Sequence, residues 1–285
     1  MNVVRSSEER LKEAYGRMRI EHQPWAHHTE EEVNYILGTM ERFGADVRNA
    51  IDLGCGSGRH SIGIASKDPK IRVRGVDFSA SGIRTAKSKA KGLSNVSFSV
   101  ADCRNIRQHD RYDLVLCLYD VVGSFPDERD NIRIISNAYD LLVPGGYMFI
   151  SVMNMELTEH LAHQSHIGPI SKDPKILFDL KASDIMQRTG NVFDPDHYAI
   201  DTVTGLVFRK EQFHSDGRLS VEYVIRDKRY RRDELEGLLT GAGFEIIESA
   251  YIQAGRWGQP LASTDPRAKE ILVIAKKPHP GTSNV

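Results

Sequence analysis

Short apolar runs alternate with longer amphipathic stretches through the first half of the chain. Ala50 to Leu53, Val73 to Val76, Val96 to Val100, Leu114 to Leu118 and Tyr147 to Val152 read as strands. Between them, stretches such as Ser79 to Ala90 and Arg129 to Leu142 have helical spacing, and Pro144-Gly145-Gly146 reads as a turn that launches the next strand. Strand and helix repeated in this way predict a parallel sheet with helices on both faces. Ahead of this region, residues 6–22 suit an amphipathic helix carrying Leu11, Tyr15 and Met18, ended by Pro24 and Trp25. A second helix is expected from Thr29, as N-cap with Glu32 three residues on, through Ile36, Leu37 and Met40.

The rhythm breaks after about residue 154. Residues 155–200 are polar and rich in His and Pro, with no clear period. Leu206 to Phe213 and Leu219 to Arg226 then predict a hairpin turning through Ser215-Asp216-Gly217, whose outer edge offers a means of pairing across a homodimer. The α/β pattern returns with a helix from Arg232 to Thr240, a turn at Gly241-Ala242-Gly243, and strands at Phe244 to Ile252 and Glu270 to Ala275. The expected organisation is an N-terminal helical lid (1–44), an α/β core (45–153), an inserted substrate cap (154–228), and the end of the core sheet with a frayed tail (229–285).

Composition narrows the partners. With 38 Lys+Arg against 39 Asp+Glu, the formal net charge of −1 gives no global field for a polyanion and favours a small substrate over nucleic acid. A basic run, Arg226, Lys228, Arg229, Arg231 and Arg232, could still meet an anionic substrate or RNA, although a solvated helix start explains it as well. No segment has the length of apolar residues that a membrane span needs, and the N-terminus lacks a secretory pattern, so the cytoplasm is the expected location. Cys55, Cys103 and Cys117 lie far apart, inside or beside strands, and read as buried thiols.

The strongest chemical signal is Ile51-Asp52-Leu53-Gly54-Cys55-Gly56-Ser57-Gly58, a strand running into three alternate glycines with a helix starting near Arg59. Glycine lets a ligand lie against the main chain, and nucleotide-type ligands bind at the carboxyl ends of parallel strands. The spacing excludes the dinucleotide fingerprint: counting from Gly54 the final glycine position falls on Arg59, and from Gly56 on Ser61. Asp77 and Asp102 end the next two strands. Asp77 is placed to accept ribose hydroxyls or to cap the following helix, and Asp102 to accept from an exocyclic amine. Asp52 is placed near a ligand ammonium group.

Asp52-x-Gly54-x-Gly56-x-Gly58, the acidic strand ends Asp77 and Asp102, the strand before Tyr119-Asp120, and Leu142-Val143-Pro144-Gly145-Gly146 resemble the class I S-adenosylmethionine-dependent methyltransferases of the small-molecule type. The resemblance covers about residues 45–153 and, more loosely, 230–277. It implies a doubly wound Rossmann-like α/β fold, with a seven-stranded, mostly parallel sheet whose last strand is antiparallel and an antiparallel insertion after the fifth strand. It also implies that S-adenosylmethionine is the cofactor, with Gly54, Cys55, Gly56 and Gly58 around its methionine part. Asp77 and Phe78 would lie at the ribose, Asp102 and Cys103 at the adenine, and Leu118, Tyr119 and Asp120 near the sulfonium. Tyr119 and Asp120 are the catalytic candidates, and Tyr15 and Trp25 are lid candidates over the cofactor.

The histidines commit to less. His60 suits a solvated or capping role at the helix start. The clusters His22, His27, His28 and His160, His163, His166 lack a carboxylate at metal-ligand spacing and read as surface or pocket residues; His197 and His214 lie in the insertion. The expected reaction is methyl transfer to a nitrogen or oxygen of a small molecule. The alternatives are an RNA or protein methyltransferase and a cofactor-binding module without catalysis. Neither an Asn-Pro-Pro-Tyr nor a Pro-Cys motif is present.

Overall fold

A computed structural model describes residues 23–162, 167–170 and 175–281. The expected first helix, Tyr15, His22, His163 and His166 lie outside the described residues, as does the side chain of Trp25.

Seven strands form the main sheet: β1 (Asn49–Leu53), β2 (Arg72–Asp77), β3 (Val96–Val100), β4 (Tyr112–Cys117), β5 (Leu142–Met153), β10 (Glu245–Ile252) and β11 (Glu270–Lys276). Their order is β10-β11-β5-β4-β1-β2-β3. Only β11 runs against the others, pairing antiparallel with both β5 and β10. The chain builds outward from β1 to β3 and then returns to β4 on the other side of β1. The sheet order therefore reverses between β1 and β4, the place where open α/β sheets bind ligands.

Both faces of the sheet are covered, which explains the unbroken apolar run in β4. Leu114 and Leu116 join Val33, Ile36 and Met40 of α1 (Thr29–Arg42) and Ile64 of α2 (Arg59–Lys67). Val115 and Cys117 face the opposite way, against Ile134, Ile135 and Ala138 of α4 (Glu128–Leu141) and Leu235 and Leu239 of α8 (Arg232–Gly241). Helix α3 (Ala80–Lys89) closes the β2–β3 end, packing Ile83 and Ala86 on Phe98. The three cysteines are free and buried, and burial pushes the Cys103 thiol up to about 12 and Cys117 well above its usual value.

The insertion is a second, four-stranded sheet in the order β6-β7-β8-β9. Its members are β6 (Ile167–Gly168), β7 (Tyr198–Asp201), β8 (Leu206–Ser215) and β9 (Arg218–Lys228), with short helices α5 (Met155–Leu161), α6 (Lys175–Asp179) and α7 (Ile185–Arg188) among them. The expected hairpin is present. Asp216 (φ 52°) and Gly217 (φ 73°) make a turn whose twist matches the flanking strands. A buried ionic cluster, Arg209 with Glu211 and Asp227, and Arg229 with Asp227, lies across β8 and β9.

Four expectations change. Pro144-Gly145-Gly146 does not separate helix from strand but lies inside β5, where the register with β4 shifts and Gly145 donates to Lys277 O at 2.7 Å. Thr29 is not an N-cap: it is the first residue of α1, and its hydroxyl donates to Ala26 O. The basic run does not form one open patch, since Arg229 is buried in the cap while Arg231 and Arg232 pair with Glu159 and Glu236. The tail begins later than expected, with Lys276 still in β11 and Lys277 N bonded to Gly146 O.

Candidate functional site

The glycine turn is shaped by its own backbone. Gly54, Gly56 and Gly58 all have positive φ, at 72°, 54° and 80°, a region that side-chain-bearing residues enter only at a cost. Gly54 and Cys55 donate to Val76 O, which ties the turn to the end of β2. Asp77 completes the tie: its carboxylate accepts from Gly56 N at 2.8 Å and from Ser79 N at 2.7 Å. Ser79, rather than Asp77, caps α3 through Gly82 N. Burial raises the Asp77 carboxyl above the usual range, opposed by those two backbone donors.

A cavity of about 900 Å³ runs from this turn to the cap sheet. Asp52, Gly54, Cys55, Gly56, Asp77, Phe78, Asp102, Cys103, Leu118, Tyr119 and Asp120 all line it, so the candidates read from sequence converge on one space. Gly58 does not line it. A side chain there would meet the Phe98 ring at 2.8 Å, so that glycine serves the packing of the turn on β3. Asp52 is 3% exposed and accepts from Ser61 Oγ at 2.6 Å; burial pushes it up to about 6 despite Ser61 and Arg59. Asp102 is engaged by the Arg104 guanidinium at 2.6 Å.

After β4 the chain bends through two consecutive left-handed residues, Tyr119 (φ 59°) and Asp120 (φ 64°). Such conformations cost about 1–3 kcal/mol each and concentrate where a site over-determines the backbone. Ser151 of β5 holds both: its Oγ accepts from Tyr119 N at 2.8 Å and its carbonyl from Asp120 N at 3.2 Å. Asp120 is 7% exposed, and neither carboxylate oxygen has a hydrogen-bond partner among the described residues. Burial, reinforced by Asp227, drives its carboxyl well above the usual range.

The Tyr119 hydroxyl is bound to Glu32, the residue whose spacing from Thr29 predicts a capping role. Glu32 is fully buried and accepts four donors: Tyr119 Oη and Gly255 N on Oε1, Arg59 Nη1 and His60 Nε2 on Oε2. Burial opposes its ionisation, but His60, Arg59 and Tyr119 together hold the carboxyl down to about 2. His60 is likewise not a solvated cap. It is 5% exposed, stacks near Tyr119, and is pushed down to about 4 by burial and by Arg59, so a neutral ring donates to Glu32. Arg59 lies over the Tyr119 ring at 4.2 Å. Sequence spacing could not reveal this cluster, because its members come from α1, α2, the β4 exit and the loop before β11.

The outer half of the cavity is lined by cap residues such as Met186, Phe193, Arg209 and Phe213, and by Arg267, Lys269 and Glu270 near the start of β11. Glu270 was not a sequence candidate. Its Oε2 is buried without a hydrogen-bond partner among the described residues, and burial together with Glu32 pushes the carboxyl up to about 7, against Ser151 and Arg59. Among the described residues no cluster of three or more His, Cys, Asp or Glu could hold a metal ion, and no helix is long and apolar enough to cross a membrane.

Solved structures share this architecture. The CcbJ methyltransferase from Streptomyces caelestis superposes with a TM-score of 0.64 at 16% identity, covering 93% of this chain and 98% of that one. An S-adenosylmethionine-dependent methyltransferase from Clostridium acetobutylicum gives 0.62 at 15% identity, over 87% and 91%. At those identities the likeness is one of fold. In sequence, malonyl-(acyl-carrier protein) O-methyltransferase 1 of Ilyobacter polytropus is 30% identical over 132 residues, 45% of this chain and 46% of that protein. The (S)-coclaurine N-methyltransferase of Thalictrum flavum is 28% identical over 133 residues, 45% and 34%. The chain thus matches less than half the length of each of these curated relatives. A family model described as a methyltransferase domain matches residues 46–189, which takes in the glycine turn, both acidic strand ends and the strained β4 exit. With that match extending over half of its length, the chain belongs to the methyltransferase-domain family.

Proposed function

We propose that the protein transfers the methyl group of S-adenosylmethionine to a nitrogen or oxygen of a small acceptor. One observation carries the reading: a single cavity joins the glycine turn to the cap, with the Asp120 carboxyl, unpartnered among the described residues, at the junction. The residues fit a cationic cofactor. Asp52 and Asp120 are buried acids whose ionisation lacks a sufficient counter-charge, and a ligand carrying an ammonium and a sulfonium would supply it.

In this reading the turn at Gly54, Cys55 and Gly56 holds the methionine part, with Asp52 toward its ammonium. Asp77 and Phe78 hold the ribose, and Asp102 and Cys103 the adenine. When bound, the cofactor supplies an activated methyl group on a good leaving sulfur. The protein's task is then chiefly to hold acceptor and methyl in line and keep water out. Asp120 faces the reacting end, where it can orient an acceptor or take its proton. Tyr119, with its hydroxyl committed to Glu32, positions the β4 exit. The cap, residues 154–228, selects the acceptor, and the segment carrying Pro24 and His28 borders the cavity.

Calorimetry with S-adenosylhomocysteine, followed by label transfer from methyl-tritiated S-adenosylmethionine into fractionated extract, tests this. Counts in the small-molecule fraction are expected. Counts confined to RNA or protein would redirect the acceptor assignment, and binding without any turnover would leave a non-catalytic module.

A further inference from the structure

Charge is unevenly answered in the outer half of the cavity. Its arginines already have acidic partners: Arg209 pairs with Glu211 at 2.6 Å and Asp227 at 3.1 Å, and Arg267 with Asp265 at 2.7 Å. Lys269 donates to the Asn191 side chain at 2.6 Å. Two acids are left with open oxygens. Both oxygens of Asp120 and Oε2 of Glu270 are buried and lack hydrogen-bond partners among the described residues, although the cavity offers them room.

Topology explains why these two meet. Asp120 follows β4 and is anchored to Ser151 of β5. Glu270 pairs with Met153, two residues further along β5, on its other side. Because β11 alone runs antiparallel, its first residue lies at the edge where the parallel strands end. Burial and Asp227 raise the Asp120 carboxyl, Arg229 and the Met153 backbone oppose, and Glu270 adds to the rise. Met153, Met186, Phe193 and Phe213 give the surrounding wall an apolar portion.

We propose that the acceptor is an amine on an apolar body, received as its ammonium ion by Asp120 and Glu270, one of which takes its proton. The proposal rests on the methyl-transfer reading and names its substrate class. An ammonium ion brings several N–H donors to the open oxygens, an alcohol brings one, and a carboxylate is repelled. Burial raises both carboxyls, Glu270 to about 7, which suits that residue as a base working near neutral pH. The step balances. One N–H proton passes to a carboxylate, and the freed nitrogen lone pair forms the bond to the methyl carbon. The C–S electron pair leaves with sulfur as a neutral thioether, and the carboxyl returns its proton to solvent.

The test uses three probes of similar shape: 2-phenylethylamine, 2-phenylethanol and 3-phenylpropanoate. Each is titrated calorimetrically into protein saturated with S-adenosylhomocysteine, for the wild type, D120N and E270Q. Both variants remove a buried acid without changing its size, so folding is preserved. The amine is expected to bind about tenfold or more tightly than the other two, and D120N to remove about tenfold or more of that affinity. E270Q should act in the same direction, and the alcohol should be indifferent to both. Amine binding that is absent, no better than the alcohol, or unmoved by both substitutions overturns the proposal. Where S-adenosylhomocysteine still binds, that result leaves methyl transfer standing with another acceptor; where it does not, both readings fall.

Discussion

Glu32 Oε1 accepts the hydroxyl of Tyr119, 87 residues further along the chain. The same carboxylate takes donors from Arg59, His60 and Gly255, so a single acid joins α1, the start of α2, the β4 exit and the loop before β11. Its worth lies in what is left if it goes. Removing one partner of a buried charge pair costs about 3–5 kcal/mol, because the other charge stays buried and unanswered. Glu32→Ala should therefore lower stability by about that much in urea unfolding, and Glu32→Gln by less. An unfolding midpoint equal to wild type would show that the network does not hold these elements together.

The same cluster sets the acid limit of the fold. His60 titrates near 4 in the native state against 6.5 as a free side chain, and Glu32 near 2 against 4.5. From pH 6.5 down to 4 the unfolded chain therefore takes a proton on His60 that the native state refuses, and from 4.5 to 2 the same holds for Glu32. Both make stability fall as pH falls. Urea midpoints measured at pH 7, 5.5 and 4 should carry this decline, set against the opposite drift from the raised carboxyls of Asp52, Asp120 and Glu270. His60→Asn should flatten the upper part of the decline, and a slope unchanged by that substitution would remove His60 as its source.

Glu270 has the opposite sign. Its carboxyl titrates near 7 in the folded protein and near 4.5 when free, so between those values the native state holds a proton that the unfolded chain releases. Its contribution to stability is present at low pH and lost as pH rises through 7. Glu270→Gln escapes the loss, and should stabilise the unliganded protein at pH 8 by up to about 3 kcal/mol while leaving stability at pH 4 nearly unchanged. Equal stabilisation at both pH values would point to packing instead of charge.

Asp77 serves the turn and the proposed ligand at once. Asp77→Ala should weaken S-adenosylhomocysteine binding by about 1–3 kcal/mol, since ligand hydroxyls and the Gly56 amide would lose an acceptor. Asp77→Asn retains one acceptor oxygen and should lose less. Calorimetry returning the wild-type affinity for the alanine variant would confine Asp77 to shaping the backbone.

Much of the fold was legible because its signals are local. The parallel strands announce themselves as apolar runs, since both their faces are covered, and the Asp216-Gly217 turn fixes the hairpin. The lining of the cavity around the glycine turn was legible for the same reason: those residues sit at successive strand ends. β7 was missed because Tyr198–Asp201 is four residues long and follows a Pro- and His-rich stretch without a period. Glu32 and Glu270 escaped notice for another reason. Each reads locally as an ordinary helix or strand carboxylate, and only the packing of α1 on α2 and the reversed direction of β11 bring them to the site. Gly58 shows the converse, a residue placed in the binding motif by spacing whose missing side chain makes room for Phe98.

The position of β11 orders the events of assembly. It fills the slot between β5 and β10, two strands that have no hydrogen bonds to each other in the finished sheet. Until β11 docks on β5, β10 is not joined to the parallel strands and Glu270 is not held at the end of β5. Acceptor recognition should therefore be the last property a refolding chain regains, well after its helices have formed.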